Sequence, residues 1–380
     1  MNEKTPLKFN NGKFKIMAIG DIHAPFDLSD EKTRLKAEDT SLLLNTAAER
    51  LKPDFAVFMG DMGKDDDEEK TREIIRRITA PLSARNIPYG IVFGNHDPEC
   101  AIPKERQLEL YNEVYDNLYV YDAVPKITGV GNCNVLVKDS DGKEDILNLW
   151  FADSNNLYDD RDVSYYDKLH DDQVEWYKTT AAEIIKNHNG RVIPAAWFMH
   201  IPVREEYNLT HKAKPYELPW CVKGFGKREG GYYVKNKSVD GYLGEDPACS
   251  EFNSGIFDAW KETGDVKLAV FGHDHMNDFA GVTDGIMLAQ CKTAGFHVYT
   301  DGGNSGVRLI TFDENDVENF TTEMHRFKDF GLKIRCLGPV MRNFHDRQVI
   351  NIHTLSWLGG GLAAAGAAAY GIKKLKDILK

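Results

Sequence analysis

Nine side chains able to hold a metal ion or carry a proton lie just past the ends of apolar runs. Asp21 and His23 follow FKIMAIG, Asp61 follows FAVFMG, and Asn95, His96 and Asp97 follow IVFG. His200 follows AAWFM, and His273 and His275 follow VKLAVFG. A single strand-end aspartate is usually a cap or turn residue, and a single histidine is usually a hydrogen-bonded polar group. Five separate turns have no common reason to select imidazoles, carboxylates and an amide. The donor types, with no thiolate among them, suit borderline to hard divalent ions such as Mn²⁺, Fe or Zn²⁺. The set is too large for one catalytic ion that keeps a position open. It fits two ions about 3.5–4 Å apart that share a bridging carboxylate.

The elements that must position these groups are legible in outline. The apolar runs 14–20, 55–60 and 87–94 alternate with helical stretches, EDTSLLLNTAAERL and EEKTREIIRRITAPLSARN. Continuous apolar strands separated by helices predict a parallel sheet with both faces covered and right-handed crossovers. Its carboxyl edge is where ligands bind in open α/β sheets. DDQVEWYKTTAAEIIKNH and SGIFDAWKETG read as further helices, each leading into a strand, VIPAAWFMH and DVKLAVFG. The short runs ILNLWFA, IMLAQ, GFHVYT, VRLITFD and ENFTTEMHRF predict a second, more antiparallel sheet. Residues 202–250 show neither periodicity and read as a long loop over a site. Within it, Tyr207 and residues 221–243 are candidates for a pocket rim. Arg204, four residues after His200, is a candidate contact for a substrate oxygen, with a solvated surface arginine as the other reading.

Composition narrows the function class. The 380 residues are 42% hydrophobic and 28% charged, with a net charge of -12. This charge argues against an electrostatic nucleic-acid binder, which needs a basic face to track phosphates, although bound cations can reverse the local field for a phosphate ester. The 6 cysteines form no CxxC, and MNEKTPLKFNNGKF lacks the apolar core of a signal peptide. Both predict free thiols in a reducing cytoplasm.

The ordered blocks GDIH (20–23), GD (60–61), GNHD (94–97), MHIP (199–202) and GHDH (272–275) resemble the signature of calcineurin-like metallophosphoesterases. The branch they resemble most is the intracellular one related to purple acid phosphatases. The resemblance implies an α/β fold in which two sheets form a β-sandwich flanked by helices, over residues 1–330. It also implies a dinuclear site at the strand ends. Asp21, His23 and His275 would hold one ion, Asn95, His200 and His273 the other, with Asp61 bridging. His96 would be general acid or phosphate contact, and Asp97 would accept its ring N–H.

Purple enzymes place a metal-binding tyrosine three residues after the second-block aspartate; here that position is Lys64. No purple colour and no commitment to Fe(III) are therefore expected. The implied activity is hydrolysis of phosphate esters, preferably monoesters, by in-line attack of a hydroxide bridging the ions. Phosphodiester hydrolysis and a non-catalytic metal-binding scaffold are the alternatives. Residues 331–380 read as an extension. Its uncharged Gly/Ala-rich stretch 355–372 and basic end KKLKDILK predict a linker and short amphipathic helix, with membrane contact as the alternative.

Overall fold

The computed structural model describes residues 4–338 and, beyond them, only 342, 359–362, 365–366 and 370. Along the chain run β1 (Leu7–Lys8), β2 (Lys13–Ile19), α1 (Glu31–Leu51), β3 (Phe55–Phe58), α2 (Glu68–Ser83), β4 (Tyr89–Ile91) and α3 (Lys104–Val114). Next come β5 (Cys133–Lys138), β6 (Asp145–Phe151), α4 (Asp171–Asn187), β7 (Ala195–Met199), β8 (Thr210–Lys212), β9 (Val222–Lys223) and β10 (Tyr232–Lys235). The last are α5 (Ile256–Thr263), β11 (Val266–Phe271), β12 (Ala280–Thr283), β13 (Ile286–Gln290), β14 (Gly306–Asp313) and β15 (Asp316–Arg326).

Two large sheets lie face to face. One has five strands in the order β15-β14-β2-β3-β4, the other seven in the order β1-β5-β6-β7-β11-β13-β12. Apolar side chains of both inner faces share one core, with Ile16, Phe55 and Val57 on one side and Phe151, Phe198 and Val270 on the other. Phe55 and Phe151 meet across it with ring centroids 6.2 Å apart. The outer face of the five-stranded sheet is covered by α1 and α2, whose Leu43, Ala47, Ile75 and Ile78 join the same core. Both helices begin where an aspartate caps them: Asp30 accepts from the Thr33 amide and Asp67 from that of Lys70. The outer face of the seven-stranded sheet buries Trp150 and Trp197 against Tyr177 of α4 and Trp260 of α5. The layering is therefore helix, sheet, sheet, helix.

Parallel pairing of β2, β3 and β4 follows the expected crossovers. The later short runs are distributed differently from the expectation of a separate antiparallel sheet. β14 pairs antiparallel with β2, and β15 with β14, so both extend the first sheet. β6 and β13 pair parallel with β7 and β11 in the second. GFHVYT forms no strand. Gly295 packs so closely on Ile22 that an added Cβ would lie 2.3 Å from its carbonyl oxygen, and the segment turns over the strand ends instead. Residues 202–250, expected as a loop, contain a small three-stranded sheet in the order β8-β10-β9. Its strands have two to four residues, too short for periodicity to show. Packing also continues past residue 330: Ile334 is buried, and the backbone amides of Arg335 and Cys336 donate to Asp39.

All 6 cysteines are unpaired. Among the described residues no helix is long and apolar enough to cross a membrane. Most of the 355–372 stretch lies outside the described residues.

Candidate metal centre

The carboxyl ends of β2, β3 and β4 from one sheet and of β7 and β11 from the other meet at one edge of the sandwich. Their terminal residues gather into two adjacent groups: Asp21, His23 and His275, and Asp61, His200 and His273, with the donor atoms in each within 4.8 Å of one another. Asp61 Oδ2 lies between the groups, 3.8 Å from His23 Nε2 and 3.2 Å from His200 Nε2. Asn95 Oδ1 is 3.1 Å from the same His200 nitrogen. His275 Nε2 stands 3.6 Å from Asp21 Oδ1.

Backbone geometry aims these side chains. His23, Asp61 and His273 all adopt left-handed φ, at 47°, 53° and 74°, a strained choice for residues with a Cβ. Each is held there by a hydrogen bond from its own amide: His23 to the Asp61 carbonyl (2.9 Å), Asp61 to Asp97 Oδ2 (3.1 Å) and His273 to Asp21 Oδ2 (3.1 Å). Gly94 must be glycine for space, since a Cβ there would sit 2.3 Å from Asp61 Oδ1.

The donor set fits divalent cations. His200 Nδ1 bonds the Met59 carbonyl at 2.7 Å, and His275 Nδ1 the Tyr299 carbonyl at 3.0 Å. A neutral ring that donates from Nδ1 presents a lone pair at Nε2. These lone pairs meet Asp61 Oδ2, Asn95 Oδ1 and Asp21 Oδ1, which are themselves acceptors. Acceptors that converge on acceptors need a cation between them. His23 Nε2 and His273 Nε2 are buried without a hydrogen-bond partner.

Burial drives the His23 imidazole down to about 3 and that of His275 to about 4, and it holds His273 far below its ordinary range. All three are neutral at pH 7. Burial also acts against a charged His200, but the Asp61 and Asp21 carboxylates overcome it and raise the imidazole to about 9. Without metal, a proton on His200 supplies part of the missing positive charge. Burial likewise works to raise Asp61, and the His200 charge beside it pulls the carboxyl well below its usual range.

His96 stands at the rim, its side chain 43% exposed and its ring 5.5 Å from that of His23. Its amide donates to Asp61 Oδ1 at 2.8 Å. The pairing with Asp97 is corrected by the structure. Asp97 is buried below the turn, where Oδ2 accepts from the Gly94 amide at 2.6 Å and the Asp61 amide at 3.1 Å. The partner of His96 Nδ1 is Glu99 Oε1 at 2.7 Å, and Glu99 also pairs with Lys64. A 3₁₀ turn at Asp97–Glu99 produces this contact, because side chains three residues apart eclipse in that geometry. The signal in the sequence was the Pro98-Glu99 pair directly after Asp97.

Arg204 is the second correction. Its Nη1 donates to the Glu251 carbonyl at 2.9 Å, and it lines a separate small cavity with Glu205 and Asn253. It begins the 3₁₀ helix Arg204–Leu209 and is not among the residues lining the cavity over the histidines. Tyr207 lies under the Arg228 guanidinium, 4.2 Å from ring centroid to cation, and packs the small sheet onto the body. Two aromatics that sequence reasoning missed touch the centre directly. Tyr166 meets the His273 ring edge-on at 4.3 Å, and Tyr299 stacks on His275 at 4.2 Å. Both contacts span long stretches of chain, and no local pattern announces them.

The profile of the family described as "Calcineurin-like phosphoesterase" matches residues 14–277. The chain belongs to the calcineurin-like phosphoesterase family. It is accordingly a metallophosphoesterase, and its clustered donors serve two divalent ions. "Probable inactive purple acid phosphatase 29" of Arabidopsis thaliana is 25% identical over 336 residues, covering 82% of this chain and 80% of the relative. "Phosphatase DCR2" of Saccharomyces cerevisiae is 26% identical over 285 residues, 71% of this chain and 45% of its own length. Among solved structures, a dimetal phosphatase from Danio rerio is similar over 81% of this chain and 98% of its own, with 13% identity and a TM-score of 0.44.

Proposed function

We propose that this metallophosphoesterase hydrolyses phosphomonoesters at the centre formed by Asp21, His23, Asp61, Asn95, His200, His273 and His275. The observation that carries this reading is the convergence of acceptor atoms on two adjacent points with Asp61 Oδ2 between them. Asp21, His23 and His275 are assigned to one ion, Asn95, His200 and His273 to the other. Two divalent ions held there would supply Lewis-acid activation of water and neutralise charge on the phosphoryl group. The neutral Asn95 amide limits negative charge where an anionic ester must dock. His96, above the cavity, contacts the phosphate or protonates the leaving oxygen, with Glu99 fixing its ring through Nδ1. His23, His273 and His275 are already neutral at pH 7, so no proton has to leave them when an ion binds. The reducing cytoplasm is the compartment we propose, on the strength of the unpaired thiols.

Chelated protein should lose hydrolysis of p-nitrophenyl phosphate and regain it with Mn²⁺, Fe²⁺ or Zn²⁺. Its rate on bis(p-nitrophenyl) phosphate should stay lower under every metal. A higher rate on the diester would turn the assignment to a phosphodiesterase. The word "inactive" in the name of the Arabidopsis thaliana relative favours a scaffold as a second reading. Two bound ions with no turnover of either ester would establish it.

Glu99→Ala should reduce kcat on an alkyl phosphate by about 10–100-fold, the usual cost of losing a group that orients a functional histidine. Glu99→Gln, which keeps an acceptor for Nδ1, should recover part of it. Equal loss in both variants would show that Glu99 acts through its charge on Lys64 and not by orienting the ring.

A further inference from the structure

The cavity over the centre extends well beyond the space one phosphate needs. It encloses about 460 Å³, within the range of sites that hold a small organic ligand. On the side away from the metal-binding groups its walls are Ala24, Pro25, Val298 and Tyr299, with Lys64 at the rim. These walls offer almost nothing that could hydrogen-bond the hydroxyls of a sugar or polyol. Such hydroxyls, once buried there, would be left unpaired.

Tyr299 is built as a platform. One face of its ring stacks on the His275 imidazole at 4.2 Å with the planes 19° apart. The residue is nevertheless 56% exposed and lines the cavity. Its hydroxyl donates to Glu245 Oε2 at 3.0 Å, and its carbonyl accepts from His275 Nδ1 at 3.0 Å. A ring held by its hydroxyl and by the His275 stack loses little freedom when a second ring settles on it.

We infer that this cavity selects phosphate esters whose alcohol side carries a planar apolar ring, with Tyr299 as the stacking surface and Val298 and Pro25 as the walls. The inference rests on the phosphoesterase reading for its substrate class, but it concerns binding and can be tested without turnover. The probes are phenylphosphonate and methylphosphonate, which cannot be hydrolysed, titrated calorimetrically into Mn²⁺-loaded protein.

The wild type should bind phenylphosphonate about 10-fold tighter than methylphosphonate, the scale of one aromatic stack and its burial. Tyr299→Ala should bring the two within about threefold, while Tyr299→Phe keeps the preference. Alanine retains the backbone carbonyl that holds His275, and metal content measured alongside shows whether the centre is intact. Should that variant lose metal, Val298→Ser, which leaves the His275 stack in place, should lower the preference in the same direction. Equal binding of both probes by the wild type, or a preference unchanged in Tyr299→Ala and Val298→Ser, overturns the inference. A preference that holds in a metal-loaded protein without turnover overturns the hydrolytic reading and leaves this one standing.

Discussion

Replacing His96 with alanine is expected to lower kcat on an alkyl phosphate by about 10²–10⁴-fold, the range for a lost general acid, with both metal ions retained. The ring contributes no donor to either group of metal-binding residues. The His96 contact that orients Asp61 comes from the backbone amide, which alanine keeps. The loss should therefore be chemical and not structural. An ester of p-nitrophenol, whose phenolate needs no proton to leave, should be affected far less than the alkyl ester. Steady-state kinetics on the two esters, with metal content determined on the same samples, separates the outcomes. Equal losses on both esters would make His96 a phosphate contact. Loss of an ion would make it a metal ligand.

Asp278→Ala is expected to be the most destabilising single change outside the centre, costing about 3–5 kcal/mol, as breaking a buried ion pair does. Asp278 lies three residues after His275 and two before β12, where it gathers the charge at that edge of the sandwich. Its Oδ2 accepts from Lys292 Nζ at 2.9 Å and Arg326 Nη2 at 3.0 Å, its Oδ1 from the Tyr242 amide at 2.6 Å, and its carbonyl from Arg308 Nη2 at 2.6 Å. Lys292 and Arg308 are buried; Lys292 keeps Asp301 Oδ2 at 2.7 Å and Arg308 keeps the backbone carbonyl, but removal of the carboxylate leaves both desolvated cations with less compensating charge.

The pH dependence has a definite sign. Burial acts to raise the Asp278 carboxyl, but Lys292 and Arg326 pull it down to about 2, below its ordinary 3.8. A carboxyl depressed on folding contributes stability above its unfolded value, and that contribution disappears as pH falls through the folded one. The wild type should thus lose this increment between about pH 4 and pH 2, and Asp278→Ala should show no such loss. Urea denaturation at pH 7 and at pH 3 measures both effects. A difference at pH 7 below about 1 kcal/mol, the scale of an exposed pair, would mean that the cations find other partners.

The strand-end donors that gather in the two groups were legible because their signal is local. A residue of the right chemical type at the end of an apolar strand is visible without knowing which strands are neighbours. Sheet membership was not legible in the same way. β6, β13, β14 and β15 are all short turn-bounded runs, and nothing within a run tells whether it will pair parallel with β7 or antiparallel with β2. The His96 ring N–H was assigned to Asp97, with Glu99 overlooked, for a related reason. Both acidic groups lie within three residues of His96, and only the 3₁₀ geometry decides which carboxylate meets the ring and which turns inward. Tyr299 was hidden inside a run read as a strand. Its place in the site comes from a stack with His275, 24 positions earlier.

Each group of metal-binding side chains draws on both sheets: Asp21 and His23 follow β2 while His275 follows β11, and Asp61 follows β3 while His200 follows β7. An ion seated in either group is therefore a rivet through the two leaves of the sandwich. Its binding free energy is simultaneously adhesion between them. Metal supply then sets not only how much of this protein is competent for chemistry but how firmly its halves are closed.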